Sequence, residues 1–187
     1  MSVMPLGWLS QGGGANGGGA FELISTAYGT GSSGTITFSS IPATYTHLQL
    51  RATMRDDYTL GWNQPYFKFN SDATSSNYSW HQLLANGSSV TSSGAANTLI
   101  YDEQIAATYG GVSNSYATII FDVLDYANTN KYKTARLMHG VLDGSLKKVS
   151  LLSGSWRNTA AVTSLAIING NNFTTASRFS LYGIKGS

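Results

Sequence analysis

Nine carboxylates and three histidines are the acid–base equipment of this sequence, so each arrangement that could cleave a bond can be tried by name. Glycoside hydrolysis needs two carboxyl groups at a fixed separation, one of them with a raised pKa. Three pairs lie close along the chain: Asp56–Asp57, Asp102–Glu103, and Asp122 with Asp125. The first two pairs are adjacent residues, which on a strand point to opposite faces. Asp122 and Asp125 flank the end of an apolar run, where Asp125 suits an Asx-type turn. His47, His81 and His139 show neither HxH nor HExxH spacing for a metal. Asp125–Asn130 offers oxygen ligands in a short loop, but it lacks the spacing and closing Glu of an EF-hand, and one carboxylate holds calcium weakly. There is no GxSxG elbow, and Gly12–Gly13–Gly14 lacks the Lys and Ser/Thr of a phosphate cradle. With no cysteine, thiol catalysis and disulfide frameworks drop out as well. The expectation is no enzyme, no cofactor and no metal.

Aromatic residues give a different lead. Trp62, Tyr66, Tyr78, Trp80, Tyr109 and Trp156 exceed what one core readily accommodates. Aromatic faces stack on sugars, and Tyr and Trp also dominate protein interfaces. Trp62, Trp80 and Trp156 are therefore the candidate glycan platform, with a place in the core as the alternative for half of the set.

The elements that must position these residues follow from composition. Gly, Ser, Thr and Asn make up 78 of 187 residues, while charged residues reach only 11%, against about 25% in ordinary soluble chains. Small hydroxyl and amide residues together with many aromatics indicate short strands joined by tight turns, not helices. A net charge of +2 with no basic cluster beyond Lys147–Lys148 argues against nucleic acid as a partner. The start of the chain has no basic residue ahead of an apolar run, as a secretory signal would, and no apolar run reaches the ~20 residues of a membrane-spanning helix. A protein made in the cytoplasm, with no membrane partner, is expected.

Residues 1–20 read as a Gly-rich attachment arm, with seven glycines between Gly7 and Gly19. Such a segment adds little to a core; it is expected to lie on a partner, with Trp8 and Leu9 as its apolar anchor and Gly12, Gly13 and Gly14 as its flexible part, a disordered leader being the alternative. Residues 21–187 form the domain. His47–Arg55 alternates strictly, Leu48, Leu50, Ala52 and Met54 sharing one face. Tyr116–Leu124 is the strongest strand, with Ile120 making its second face partly apolar. Further strands are expected at Thr35–Phe38, Pro65–Asn70, Tyr78–Leu84, Thr98–Ile105, Tyr132–His139, Lys148–Leu152, Ala161–Ile168 and Ser177–Lys185. Asn86–Asn97 reads as a loop, and Asp143–Gly144 as a hairpin. About ten strands at this spacing predict an all-β fold, an antiparallel two-sheet β-sandwich of jelly-roll type.

Four runs carry a family resemblance: Thr35–Arg51 (TITFSSIPATYTHLQLR), Asp122–Thr134 (DVLDYANTNKYKT), Leu152–Ala160 (LSGSWRNTA) and the ending Phe179–Gly186 (FSLYGIKG). Together they resemble a family of small virion structural proteins of tailed bacteriophages, frequent in marine and cyanobacterial phages. The resemblance implies a non-enzymatic component of the virion surface: a capsid decoration, cement or head-spike protein, or alternatively a tail-fibre or receptor-binding module holding host glycan. Its implied partners are the major capsid protein or, in the alternative, tail proteins. Surface jelly rolls often sit on threefold axes, and the apolar second faces need cover. A homotrimer is therefore expected, with Ile120, Tyr182 and Ile184 at its contact. Within the motifs, Pro42 fixes a turn, Gly183 permits a close approach, and Asp125, Asn128 and Asn130 shape a loop.

Overall fold

The computed structural model describes residues 19–59, 63–101, 107–108, 112–144 and 146–186. In chain order its strands are β1 (Phe21–Tyr28), β2 (Thr35–Phe38), β3 (His47–Asp56), β4 (Tyr66–Phe69), β5 (Tyr78–Ala85), β6 (Val90–Ala96), β7 (Ile100–Tyr101), β8 (Ala107–Thr108), β9 (Ala117–Leu124), β10 (Lys133–Asp143), β11 (Leu146–Trp156), β12 (Leu165–Ile168) and β13 (Arg178–Ile184). One 3-10 turn, Ser75–Asn77, precedes β5. The larger sheet runs β1-β13-β3-β9-β10-β11-β5-β6, with β8 beside β3, and the smaller runs β2-β12-β4-β7. Every pairing is antiparallel except the two-residue β3–β8 contact. The chain is an all-β sandwich of two antiparallel sheets, and it repeatedly leaves one sheet for the other.

Alternation along the strands decides which face is buried. Leu48, Leu50, Ala52 and Met54 of β3 are all buried. Their register sets them between Val123, Phe121, Ile119 and Ala117 of β9 and the inward residues of β13. The smaller sheet answers with Phe67 and Phe69. Phe67 stacks on Phe121 at 4.2 Å, and Phe69 lies between Phe121, Tyr78 and Trp156. Large flat side chains shared by both sheets hold the layers together.

The expected strands are found, with several differences; of Ala161–Ile168 only Leu165–Ile168 is strand. The loop expected over Asn86–Asn97 contains β6, paired with β5 along its whole length. Its Ser, Gly and Ala residues have little strand propensity, and pairing is imposed by fit: a Cβ on Gly94 would lie 2.7 Å from the Cβ of His81. β1, absent from the expected set, lies on the edge beside β13. The β10–β11 hairpin is longer than expected, with register from Lys133↔Trp156 to Asp143↔Leu146 around Gly144, whose φ is +59°. Of Thr98–Ile105, the described part forms only β7. Residues 1–18 of the expected arm, with Trp8, Leu9 and Gly12–Gly14, lie outside the described residues.

Candidate interaction surface

The four motif runs meet at one end of the sandwich. Tyr45 lays its ring over Gly183, where a Cβ would come within 2.2 Å of ring carbons, so the last strand needs glycine there. The Tyr45 hydroxyl donates to Glu22 at 3.1 Å, and Lys185 reaches the same carboxylate at 2.5 Å. The Tyr126 hydroxyl donates to the Pro42 carbonyl, and the Asp125 N–H donates to His47 Nδ1 at 2.9 Å. In the Asp125–Lys131 turn, the Asn128 N–H bonds the Asp125 carbonyl at 3.0 Å and the Asn130 N–H bonds Asn128 Oδ1 at 2.8 Å. Lys133, buried completely, donates from Nζ to the carbonyls of Asn128 (2.5 Å), Lys131 (3.0 Å) and Thr159 (3.1 Å). One ammonium thus ties the second motif run to the third. Burial, followed by the nearby charge of Lys131, lowers its pKa.

The carboxylates are engaged separately. Asp56 is buried and accepts hydrogen bonds from the Tyr58 N–H (3.1 Å), Asn63 (3.0 Å) and Asn169 (2.7 Å); burial nevertheless raises its pKa. Asp57 holds Asn172. Asp122 takes Gln49 at 2.8 Å and Arg136 at 2.9 Å. Asp125 pairs with Lys131, which lowers its pKa. Asp102–Glu103 lies outside the described residues. The histidines stand apart on β3, β5 and β10, His139 buried and His81 exposed. Asp56 and Asp57 thus have separate hydrogen-bond partners, and the nearby Asp57 charge adds to the rise in the Asp56 pKa that burial starts.

The candidate glycan platform is corrected by burial. Trp156 is 1% exposed and Trp80 5%, and both face the smaller sheet. Trp156 has the parity of Leu152 on β11, so the alternation that buries Leu152 buries the indole as well. Trp80 packs against Tyr101 with centroids 4.7 Å apart. Trp62 lies outside the described residues.

Trp156 Nε1 donates at 2.8 Å to Asp72, which also accepts from Asn77 and the Thr74 N–H, each at 2.8 Å. Burial raises the Asp72 pKa, but these donors outweigh it and hold the carboxyl at about 2. A carboxyl that titrates lower in the folded chain supplies stability that is complete above about pH 4 and fades as pH falls towards 2. Asp72→Asn is expected to cost on the order of 1–2 kcal/mol at pH 6. Melting curves should converge with the parent near pH 2; a gap undiminished at that pH would contradict the assignment.

The outer face of the larger sheet is the surface left over. Register lines its residues into rows: Leu83, Leu151, Met138, Ile120, Arg51 and Ser180 form one, from β5 across to β13. The next row, towards the motif end, is polar: His81, Ser153, Arg136, Asp122, Gln49 and Tyr182. Leu83, Met138, Leu151, Val149, Leu142 and Val90 are exposed by 50% to 72%. Five apolar residues, Leu83, Val90, Met138, Val149 and Leu151, border a depression of about 260 Å³. Ile120, Tyr182 and Ile184, expected at the trimer contact, are all half-buried on this face. Ile120 continues the apolar row, whereas Tyr182 and Ile184 lie two strands away, towards β1.

Comparison with protein-family models, curated proteins and solved structures finds no match for the chain. The surface residues missed by the sequence reading had a visible signal. Leu83–Leu84 and Leu151–Leu152 are adjacent apolar pairs, and on a strand one member of each pair must face outward.

Proposed function

We propose that this chain is a non-enzymatic structural protein of a tailed-bacteriophage particle, a capsid-decorating, cement or head-spike component. It works as a homotrimer, is attached to the major capsid protein through residues 1–20, and resides in the virion. The apolar half of the outer sheet face carries this reading. Monomers seldom leave large contiguous apolar patches in water, and such patches mark assembly contacts. Here the contact centres on Leu83, Met138 and Leu151, with Ile120 at its margin. A closed cyclic assembly would cover the patch in every copy.

Strand order supports a jelly-roll form of the sandwich. Leaving aside the hairpins β5–β6 and β10–β11 and the short β8, the larger sheet reads β1-β13-β3-β9 and the smaller β2-β12-β4-β7. Numbered along the chain, those eight strands fall 1-8-3-6 and 2-7-4-5, the interleaving of two Greek keys. Low charge and spare hydroxyl surface suit a domain repeated in a shell.

Sedimentation at micromolar concentration tests the assembly. Three chains of 19.9 kDa should run near 60 kDa, and Leu151→Lys should release a species near 20 kDa without loss of fold. A parent protein at 20 kDa would refute the trimer. Labelled antibody absent from the heads of purified particles would refute the capsid location.

A further inference from the structure

We propose that the other half of the outer sheet face is a binding site for an acidic saccharide, one bearing a uronate carboxylate. A depression of about 300 Å³ lies over β3, β9 and β13, bordered by Arg51, Thr53, Thr118, Ile120, Arg178 and Tyr182. Register explains the grouping. Thr53 stands opposite both Arg178 and Thr118, and Arg51 opposite both Ser180 and Ile120. The two arginines are therefore diagonal neighbours on adjacent strands, and both border the same depression.

Their state is that of recognition groups. Arg51 is held from several sides: its guanidinium lies 5.0 Å from the Phe21 ring centroid and 5.2 Å from that of Tyr182, and its Nε donates to Gln49 at 2.6 Å. Among the described residues its two terminal nitrogens have no hydrogen-bond partner, which leaves both for paired hydrogen bonds to a carboxylate. Arg178 is exposed on the opposite flank. Among the described residues neither arginine has a carboxylate partner; Asp122, on the next row, is taken by Arg136 and Gln49.

The remaining surroundings select a sugar over a bare anion. Thr53 and Thr118 present hydroxyls, which both donate and accept as sugar hydroxyls do. Ile120 supplies an apolar flank for ring C–H groups. The volume lies at the lower end of the range for small-molecule sites, enough for one or two sugar units. The site shares Ile120 with the margin of the proposed subunit contact, but its arginines and threonines lie beyond that contact, so either proposal can hold without the other.

The test is titration calorimetry of the full-length protein with trigalacturonate, its methyl ester, neutral galactotriose and inorganic sulfate. Trigalacturonate should bind at least tenfold more tightly than its ester, galactotriose or sulfate. Arg178→Ala and Thr118→Val should weaken it at least tenfold and about threefold, with melting temperatures unchanged. Arg136→Ala, an exposed arginine already paired on the neighbouring row, should leave it unaltered. Failure of trigalacturonate to bind, equal binding of the neutral trimer or of sulfate, or full binding by Arg178→Ala would each overturn the assignment.

Discussion

Trp156→Ala is expected to lower the stability of the chain by about 3–5 kcal/mol, the usual cost of emptying a buried aromatic site. The indole touches both layers: it lies 5.5 Å from Phe69 and 6.4 Å from Tyr78, and its N–H reaches Asp72. Removal leaves a cavity lined by side chains that cannot collapse without shifting a strand of each sheet. It also deprives a depressed carboxylate of one donor. Since domains of this kind are stable by about 5–15 kcal/mol in total, the variant should lose much of its resistance to urea. Trp156→Phe should recover most of the packing and lose on the order of 1 kcal/mol with the indole hydrogen bond. A glycan-facing tryptophan would behave oppositely, with stability unchanged on truncation. A Trp156→Ala loss below 1 kcal/mol in urea would contradict the core placement.

Lys133→Met should be nearly as damaging, at about 3 kcal/mol. Methionine has a stem of similar length, so little volume is lost. What disappears is the donor for three carbonyls, from Asn128, Lys131 and Thr159. The residues that carry these carbonyls are themselves exposed, so the loss is that of hydrogen bonds to a charged donor, each worth about 1.5–3 kcal/mol. Replacing a buried charge by an apolar group can instead be neutral, and the difference depends on whether those carbonyls can reach water. Equilibrium denaturation of the variant decides it: a change under 1 kcal/mol would show that the two motif loops hold their shape without the ammonium.

Legibility in the sequence varied with the range of the cause. The strict alternation of β3 and β9 is local, so their buried faces could be read directly. Trp156 and Lys133 also obey parity, with Leu152 and Ala135 respectively. Their types suggest a sugar platform and a solvated charge, and the structure shows that parity outweighs type at both positions. β6 was not legible, because its Ser-rich residues pair only by fitting Gly94 against β5. The apolar half of the outer face was half legible, since adjacent leucines show that both faces are apolar without saying which strands align. The arginine-flanked depression was not legible at all. Arg51 and Arg178 are brought together only by the β3–β13 register.

That same register governs the time course of folding. β13 sits between β1 and β3, and Glu22 meets Lys185 across 163 residues of chain. Until β13 has been synthesised, β1 lacks the strand it pairs with and β3 carries one open edge, with Leu48 and Leu50 facing an incomplete core. The domain therefore cannot close progressively behind the ribosome, and closure should wait for β13. Folds dominated by such distant pairings reach the native state in about milliseconds to seconds, and during that interval the open edges are exposed to pairing with other copies.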